Sequence, residues 1–158
     1  MSRREAAGGG FVGVISDTHG LLRPEAVEAL AGSELIIHAG DVGGPEVLEE
    51  LGRVAPVVAV RGNNDRGAWA EALAEYEAVE VKQTFVYVLH DLKEMDIAPA
   101  GFRVVVSGHS HKPLVEVKRG VLYLNPGSAG PRRFTLPVTV ARLRLRGGDA
   151  SAEIINLL

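Results

Sequence analysis

The sequence of 158 residues contains no cysteine. Disulfides, thiolate metal ligands and a cysteine nucleophile are thereby excluded, and a reducing, cytoplasmic setting is expected. Aromatic residues are scarce, with one tryptophan, three tyrosines and four phenylalanines. Stacking platforms for single-stranded nucleic acid are therefore not expected. A net charge of −3 gives no basic surface for nucleic acid or for an anionic membrane. No apolar run approaches the ~20 residues of a membrane span. Residues 1–10 hold two arginines, then small residues and glycines, without the apolar stretch of a signal peptide. They are expected to form a flexible tail. What remains is a globular balance, 46% hydrophobic and 23% charged, of a length that suits one domain over residues 11–158.

Short apolar runs at 11–16, 35–38 and 54–60 read as buried strands. Between them, Pro24 and Pro45 open helical patterns through 31 and 51, each proline standing where a first turn tolerates it. Strand and helix alternate, which predicts βαβ units around a parallel sheet. Residues 69–76 read as a short helix or a loop. Three hairpins are then expected: 78–82 with 85–89 turning near Gln83, 114–117 with 121–124 across Arg119-Gly120, and 138–145 with 152–155 across Gly147-Gly148. Residues 92–97 fit one or two helical turns, and 104–106 a core strand. The second half is expected to be mostly antiparallel, and the whole to be two sheets packed face to face with helices outside.

Polar residues cluster where the strands end. Asp17-Thr18-His19 follows the first strand, Gly40-Asp41 the second and Gly62-Asn63-Asn64-Asp65 the third. His90 ends the run at 85–89, and Gly108-His109-Ser110-His111 follows 104–106. The carboxyl ends of strands are where an α/β sheet builds its sites. In extended backbone, residues two apart point the same way, so Asp17 and His19 can reach one ion together, and His109 and His111 repeat that geometry. Singly, each has a plainer reading: an aspartate after a strand caps a helix or closes a turn, and Asn63-Asn64 supplies turn conformations. Jointly, and in this order, they outweigh it. Four of the five histidines fall beside these motifs. The fifth, His38, either orients Asp41 or is a satisfied histidine at a strand end; Asp65 likewise orients a ligand or caps a turn.

Through Ser16-Asp17-Thr18-His19-Gly20, Gly40-Asp41, Gly62-Asn63, His90, Gly108-His109-Ser110-His111 and Asn125-Pro126-Gly127-Ser128, the chain resembles the calcineurin-like metallophosphoesterases. Within them it is similar to the small bacterial and archaeal single-domain phosphodiesterases. The resemblance implies an α/β fold of mixed α+β character, a four-layer sandwich of two mixed β-sheets flanked by helices. It implies that Asp17, His19 and His111 hold one divalent metal ion, that Asn63, His90 and His109 hold a second, and that Asp41 bridges them. Asp41, Asn63 and His109 are the residues on which catalysis would rest.

Two divalent ions and two carboxylates leave about +2 on such a site, which attracts an anionic phosphoester. Ions roughly 3.5–4 Å apart share one water and lower its pKa from about 15.7 toward neutrality, so a bridging hydroxide would attack phosphorus. The mixed nitrogen and oxygen donors suit manganese, nickel, iron, cobalt or zinc. Hydrolysis of a small soluble phosphodiester is therefore expected, without nucleic-acid or membrane partners, in a monomer or a homo-oligomer. A metallophosphoesterase-like scaffold, as in the eukaryotic retromer, and a nuclease are the competing expectations.

Two positions depart from the resemblance. Many relatives carry histidine after the metal-binding asparagine, where this chain has Asn64, and an amide is no acid for an alkoxide leaving group. Relatives commonly have glycine after the histidine equivalent to His90, where this chain has Asp91. Asp91 either adds negative charge at the site or caps 92–97, and the cap is favoured. Residues 125–128 read as a tight turn after a strand, and the resemblance implies that the main chain there helps fix the ligand loops; Arg132 or Arg133 could meet a phosphate, with a solvated pair favoured.

Overall fold

A computed structural model describes residues 10–158. The tail expected over 1–10 thus lies, but for Gly10, outside the described residues. Strand β1 (Phe11–Ile15) pairs in parallel with β2 (Ser33–His38), and β2 with β3 (Val57–Ala59). Between them run α1 (Pro24–Leu30) and α2 (Pro45–Gly52), each beginning at its proline. The C-terminal hairpin of β9 (Thr139–Arg146) and β10 (Asp149–Asn156) adds antiparallel to β1, giving the order β10-β9-β1-β2-β3.

The second sheet has the order β4-β5-β6-β8-β7. It contains β4 (Tyr76–Val81), β5 (Thr84–Leu89), β6 (Val104–Val106), β7 (Leu114–Lys118) and β8 (Val121–Asn125). All three expected hairpins form, with Lys82 and Gln83, Arg119 and Gly120, and Gly147 and Gly148 at positive φ in the turns. The centre of this sheet departs from the antiparallel expectation, because β5, β6 and β8 run parallel. Strand β6 reads Val104-Val105-Val106 and is buried on both faces, the pattern of a parallel central strand.

Alternation along the strands makes the layers. Val12 and Val14 of β1, Ile37 of β2, Val86 and Val88 of β5, Val104 and Val106 of β6, Leu122 and Leu124 of β8, and Leu143 of β9 meet between the sheets. The intervening residues face outward. Ile15 and Ile36 pack under Leu30 of α1 and Val47 and Leu51 of α2. Tyr87, Val105 and Val121 lie outside the second sheet against Met95 and Phe102, on the segment that follows the 3-10 turn η1 (Leu92–Glu94). Each such valine or leucine contributes about 1.5–3 kcal/mol relative to exposure. The four-residue helix α3 (Ala68–Glu71) supplies Trp69 to the helical side.

Register brings the chemistry to one edge. Ile15 aligns with His38 and His38 with Ala59, so the loops carrying Asp17, Asp41 and Asn63 leave the first sheet together. Val88 aligns with Val106 and Val106 with Leu124, so those carrying His90, His109 and Asn125 leave the second sheet together.

Candidate metal centre

The loop after β1 lies along the loop after β2. Asp17 N donates to the Gly40 carbonyl, His19 N to Asp41 and Gly20 N to Val42. Asp17, His19 and Asp41 all adopt positive φ, as do His109 and His111. The two-apart rule for extended backbone therefore does not explain why Asp17 and His19 converge. Both have left the strand, and left-handed turns aim them instead, a conformation that costs non-glycine residues energy and is held by the surrounding structure.

Asp17 and His38 are fully buried, and Asp41, His90 and His111 nearly so. Asp17 Oδ1 stands 3.4 Å from His111 Nε2, 3.8 Å from His19 Nε2 and 3.9 Å from His90 Nε2. Asp41 Oδ2 stands 3.2 Å from His90 Nε2 and 3.8 Å from His19 Nε2. Two groups of donors result: Asp17 with His19 and His111, and Asp17 with Asp41 and His90.

The remaining atoms of these groups are engaged. Asp17 Oδ2 accepts from the Ser16 hydroxyl at 2.7 Å and from His109 N at 3.1 Å. Asp41 Oδ1 accepts from Asn64 N at 2.9 Å, and Oδ2 from the Asn64 amide at 3.1 Å. His90 Nδ1 donates to the Ala39 carbonyl at 2.8 Å. That bond makes Nε2 the lone-pair nitrogen of the neutral ring, aimed at two carboxylates. Asp17 Oδ1, His19 Nε2 and His90 Nε2 are buried without a hydrogen-bond partner among the described residues. Oxygen and nitrogen lone pairs facing one another need a cation between them, so this donor set fits divalent metal.

Charge follows the same geometry. Burial alone would raise the Asp41 carboxyl, but His90 and the two Asn64 bonds hold it well below the usual range. Burial likewise opposes ionisation of Asp17, and His111, Ser16 and His90 together lower it. For His90, burial disfavours the cation, yet Asp41 and Asp17 raise its pKa. The pocket is thus built to keep carboxylates ionised and to receive positive charge.

Asn63 and His109 stand apart from that cluster. Both are exposed, and with His90 they line an adjoining open cavity of about 430 Å³ that also includes Arg61 and Glu75. The His109 and His90 rings lie 5.2 Å apart. The structure therefore brings Asp17, His19, Asp41, His90 and His111 into one buried group and places Asn63 and His109 at its open side.

Several supports were only half legible. His38 Nδ1 accepts from Gly40 N at 3.1 Å, so Nε2 carries the proton and donates to the Thr18 hydroxyl at 3.0 Å, which donates to the Val42 carbonyl. Complete burial pushes this imidazole down to about 4. Asp65 gathers the amides of Val42, Gly43 and Gly62, tying the second loop to the third. The Asn125 amide donates to the Gly108 carbonyl and the Ser128 hydroxyl to that of Asp17, so the 125–128 turn braces the ligand loops through these side chains rather than through the expected main chain. Asp91 does both things considered for it: Oδ1 caps η1 through Lys93 N, and Oδ2 lies 3.7 Å from His109 Nε2. Arg132 and Arg133 are exposed, and Arg132 donates to the Leu136 carbonyl. The roles of Ser16 and Asn64 went unread. The one available signal was that each adjoins a candidate ligand.

Close approach explains two glycines. A Cβ at Gly62 would collide with the Asp41 nitrogen and Oδ1, and one at Gly108 with the Ser16 hydroxyl. The third and fifth loops can press against the carboxylates only without side chains there.

A two-sheet sandwich thus gathers buried carboxylates and imidazoles outside its strand ends. The chain belongs to the calcineurin-like phosphoesterase superfamily, whose domain matches residues 11–148. It is 40% identical to a probable metallophosphoesterase of Methanothermobacter thermautotrophicus over 92% of each chain. It is 29% identical to a phosphodiesterase of Methanocaldococcus jannaschii, covering 73% of this chain and 82% of that one. Among solved structures, an archaeal phosphodiesterase superposes with a TM-score of 0.75 at 26% identity, over 92% of this chain and 99% of that one. Vps29 of Chaetomium thermophilum superposes equally well, with a TM-score of 0.75 over 92% and 95%, but at 17% identity it shares the fold alone. No described helix is long and apolar enough to cross a membrane.

Proposed function

We propose that this chain is a dinuclear metal-dependent phosphodiesterase acting on small phosphodiesters. The observation that carries the reading is His90. Its Nδ1 is committed to Ala39, and its Nε2 faces the carboxylates of Asp41 and Asp17 without a hydrogen bond.

In this reading Asp17, His19 and His111 would hold one divalent ion, Asn63, His90 and His109 would hold the other, and Asp41 would be shared between them. Two such ions, with manganese, nickel, iron, cobalt and zinc as candidates, would supply Lewis acidity and a hydroxide nucleophile at neutral pH. The chain's own residues fix the geometry. Asn64 presents Asp41 through both of its oxygens. Ser16 and His109 N fix one oxygen of Asp17 and leave the other free. His109, half-exposed at the open side, is placed to meet the substrate.

Asn64 cannot protonate a departing alkoxide, so diesters with acidic leaving groups are favoured. A cytoplasmic setting, with a small phosphoester as the partner, accords with the lack of cysteine and of basic surface. The fold-level likeness to Vps29 gives no residue that favours a scaffold over an enzyme.

The test is hydrolysis of bis(4-nitrophenyl) phosphate with manganese or nickel, alongside metal content by elemental analysis. Turnover is expected, with loss of at least ~100-fold in Asp41→Ala and His109→Ala. Bound metal without turnover across a broad phosphoester panel would favour the scaffold.

A further inference from the structure

Two cavities meet at His109 and Asp91, the only residues they share. The first, on the Asn63 side, is polar, with Arg61 beside Glu75 at 3.7 Å and with Glu94 in its lining. The second is larger, about 860 Å³, and its walls include Leu92, Pro113 and Leu114. Leu92 and Leu114 are 37% and 41% exposed. A single exposed leucine needs no explanation, but two of them with a proline, around one cavity beside the metal centre, form a surface.

Several polar groups of this second cavity are already engaged with one another. The Ser110 hydroxyl accepts from Lys112 N and from the Asn125 amide, each at 3.1 Å, and that amide also donates to the Gly108 carbonyl. Asp91 Oδ1 is held by Lys93 N. What the cavity offers is aliphatic surface and the positive charges of Lys93 and Lys112. That combination complements an apolar group attached to an anion.

Resting on the phosphodiesterase reading, we infer that the cavity over Leu92, Pro113 and Leu114 is the subsite for an apolar ester arm of the substrate. The substrate class is then a phosphodiester with one aryl or comparably apolar group. The phosphate lies at the His109 side, and the second arm lies toward the polar cavity. An aryl arm also provides the acidic leaving group that a site without an acid at Asn64 requires.

Phosphonates test this without turnover. Calorimetry on the manganese-loaded protein would compare phenylphosphonate with methylphosphonate, which share the anion and differ in the apolar group. Removing ~60 Å² of ring from water corresponds to about tenfold tighter binding, which is the preference expected. Leu92→Asn and Leu114→Asn should each cut that preference at least about threefold and leave methylphosphonate unchanged. Val117→Asn, on the same strand as Leu114 but outside the cavity and 64% exposed, should leave both ligands unchanged. A preference near one, or one that neither leucine variant alters while both melt like the parent, overturns the subsite. Parallel hydrolysis of bis(4-nitrophenyl) phosphate separates the two ideas. No hydrolysis with the phenyl preference intact sinks the catalytic reading and leaves the subsite standing. Hydrolysis without the preference does the reverse.

Discussion

Asn64 grips Asp41 twice, by its backbone nitrogen at Oδ1 and by its side-chain amide at Oδ2. The residue that stands where many relatives carry an acid therefore orients the carboxylate proposed to bridge the metals. Replacing it by alanine keeps the backbone bond and removes the other. Asn64→Ala should weaken metal binding about tenfold, since outer contacts to metal ligands have effects of that order. Calorimetric manganese titration reads this directly, and unchanged affinity would deny Asn64 the role.

Close approach at Gly62 gives a second prediction. A Cβ there would drive against Asp41. Manganese should raise the melting temperature of the parent chain, because it binds only the folded site. In Gly62→Ala that rise should shrink by at least half. An undiminished rise would show that the loop yields without disturbing the carboxylate.

His38 and His90 predict opposite pH dependences in the metal-free protein. Burial lowers His38 from 6.5 to about 4. Its contribution is complete above the unfolded value. It is lost as pH falls from about 6.5 to about 4, because the unfolded chain then binds a proton that the folded chain refuses. The loss is on the order of 3 kcal/mol. The His90 pKa is raised, so its contribution is present below the unfolded value and is lost as pH rises through the folded one. Urea midpoints measured between pH 4 and 6.5 should climb with pH in the parent. His38→Gln should be less stable at pH 7 and should lose most of the slope between pH 5 and 6.5, where the carboxylates contribute little. Parallel slopes would exclude His38 as their source.

Leu143 is fully buried between the two sheets. Leu143→Ala should cost about 2–5 kcal/mol through lost transfer energy and the cavity left behind. The urea midpoint should fall with an unchanged slope. A cost below about 1 kcal/mol would mean that the sheets close over the gap.

Much of this fold could be read locally. Pro24 and Pro45 open helices, and Gln83, Arg119-Gly120 and Gly147-Gly148 turn hairpins, because such signals act within a few residues. The parallel centre of the second sheet could not, since β5, β6 and β8 are neighbours through crossovers rather than turns. The convergence of Asp17 with His19 was expected for the wrong reason. Alternation along a strand does not reach past its end, and positive φ aims both residues instead. Asp65 shows the same limit, because three amides from two loops meet its carboxylate only after folding.

The sequence by itself determined where donors could stand. The apolar runs that lead into the site loops are each followed within three residues by aspartate, asparagine or histidine, and the burial of those runs in sheets carries the polar residue to a strand end. Tertiary structure decided which donors meet and which atoms stay free. His109 N reaches Asp17 across 92 residues, and Asn64 and Ala39 occupy one side of Asp41 and His90 so that the other side faces inward. Those contacts depend on two sheets packed with their loop-bearing edges together, and no local pattern encodes that distance.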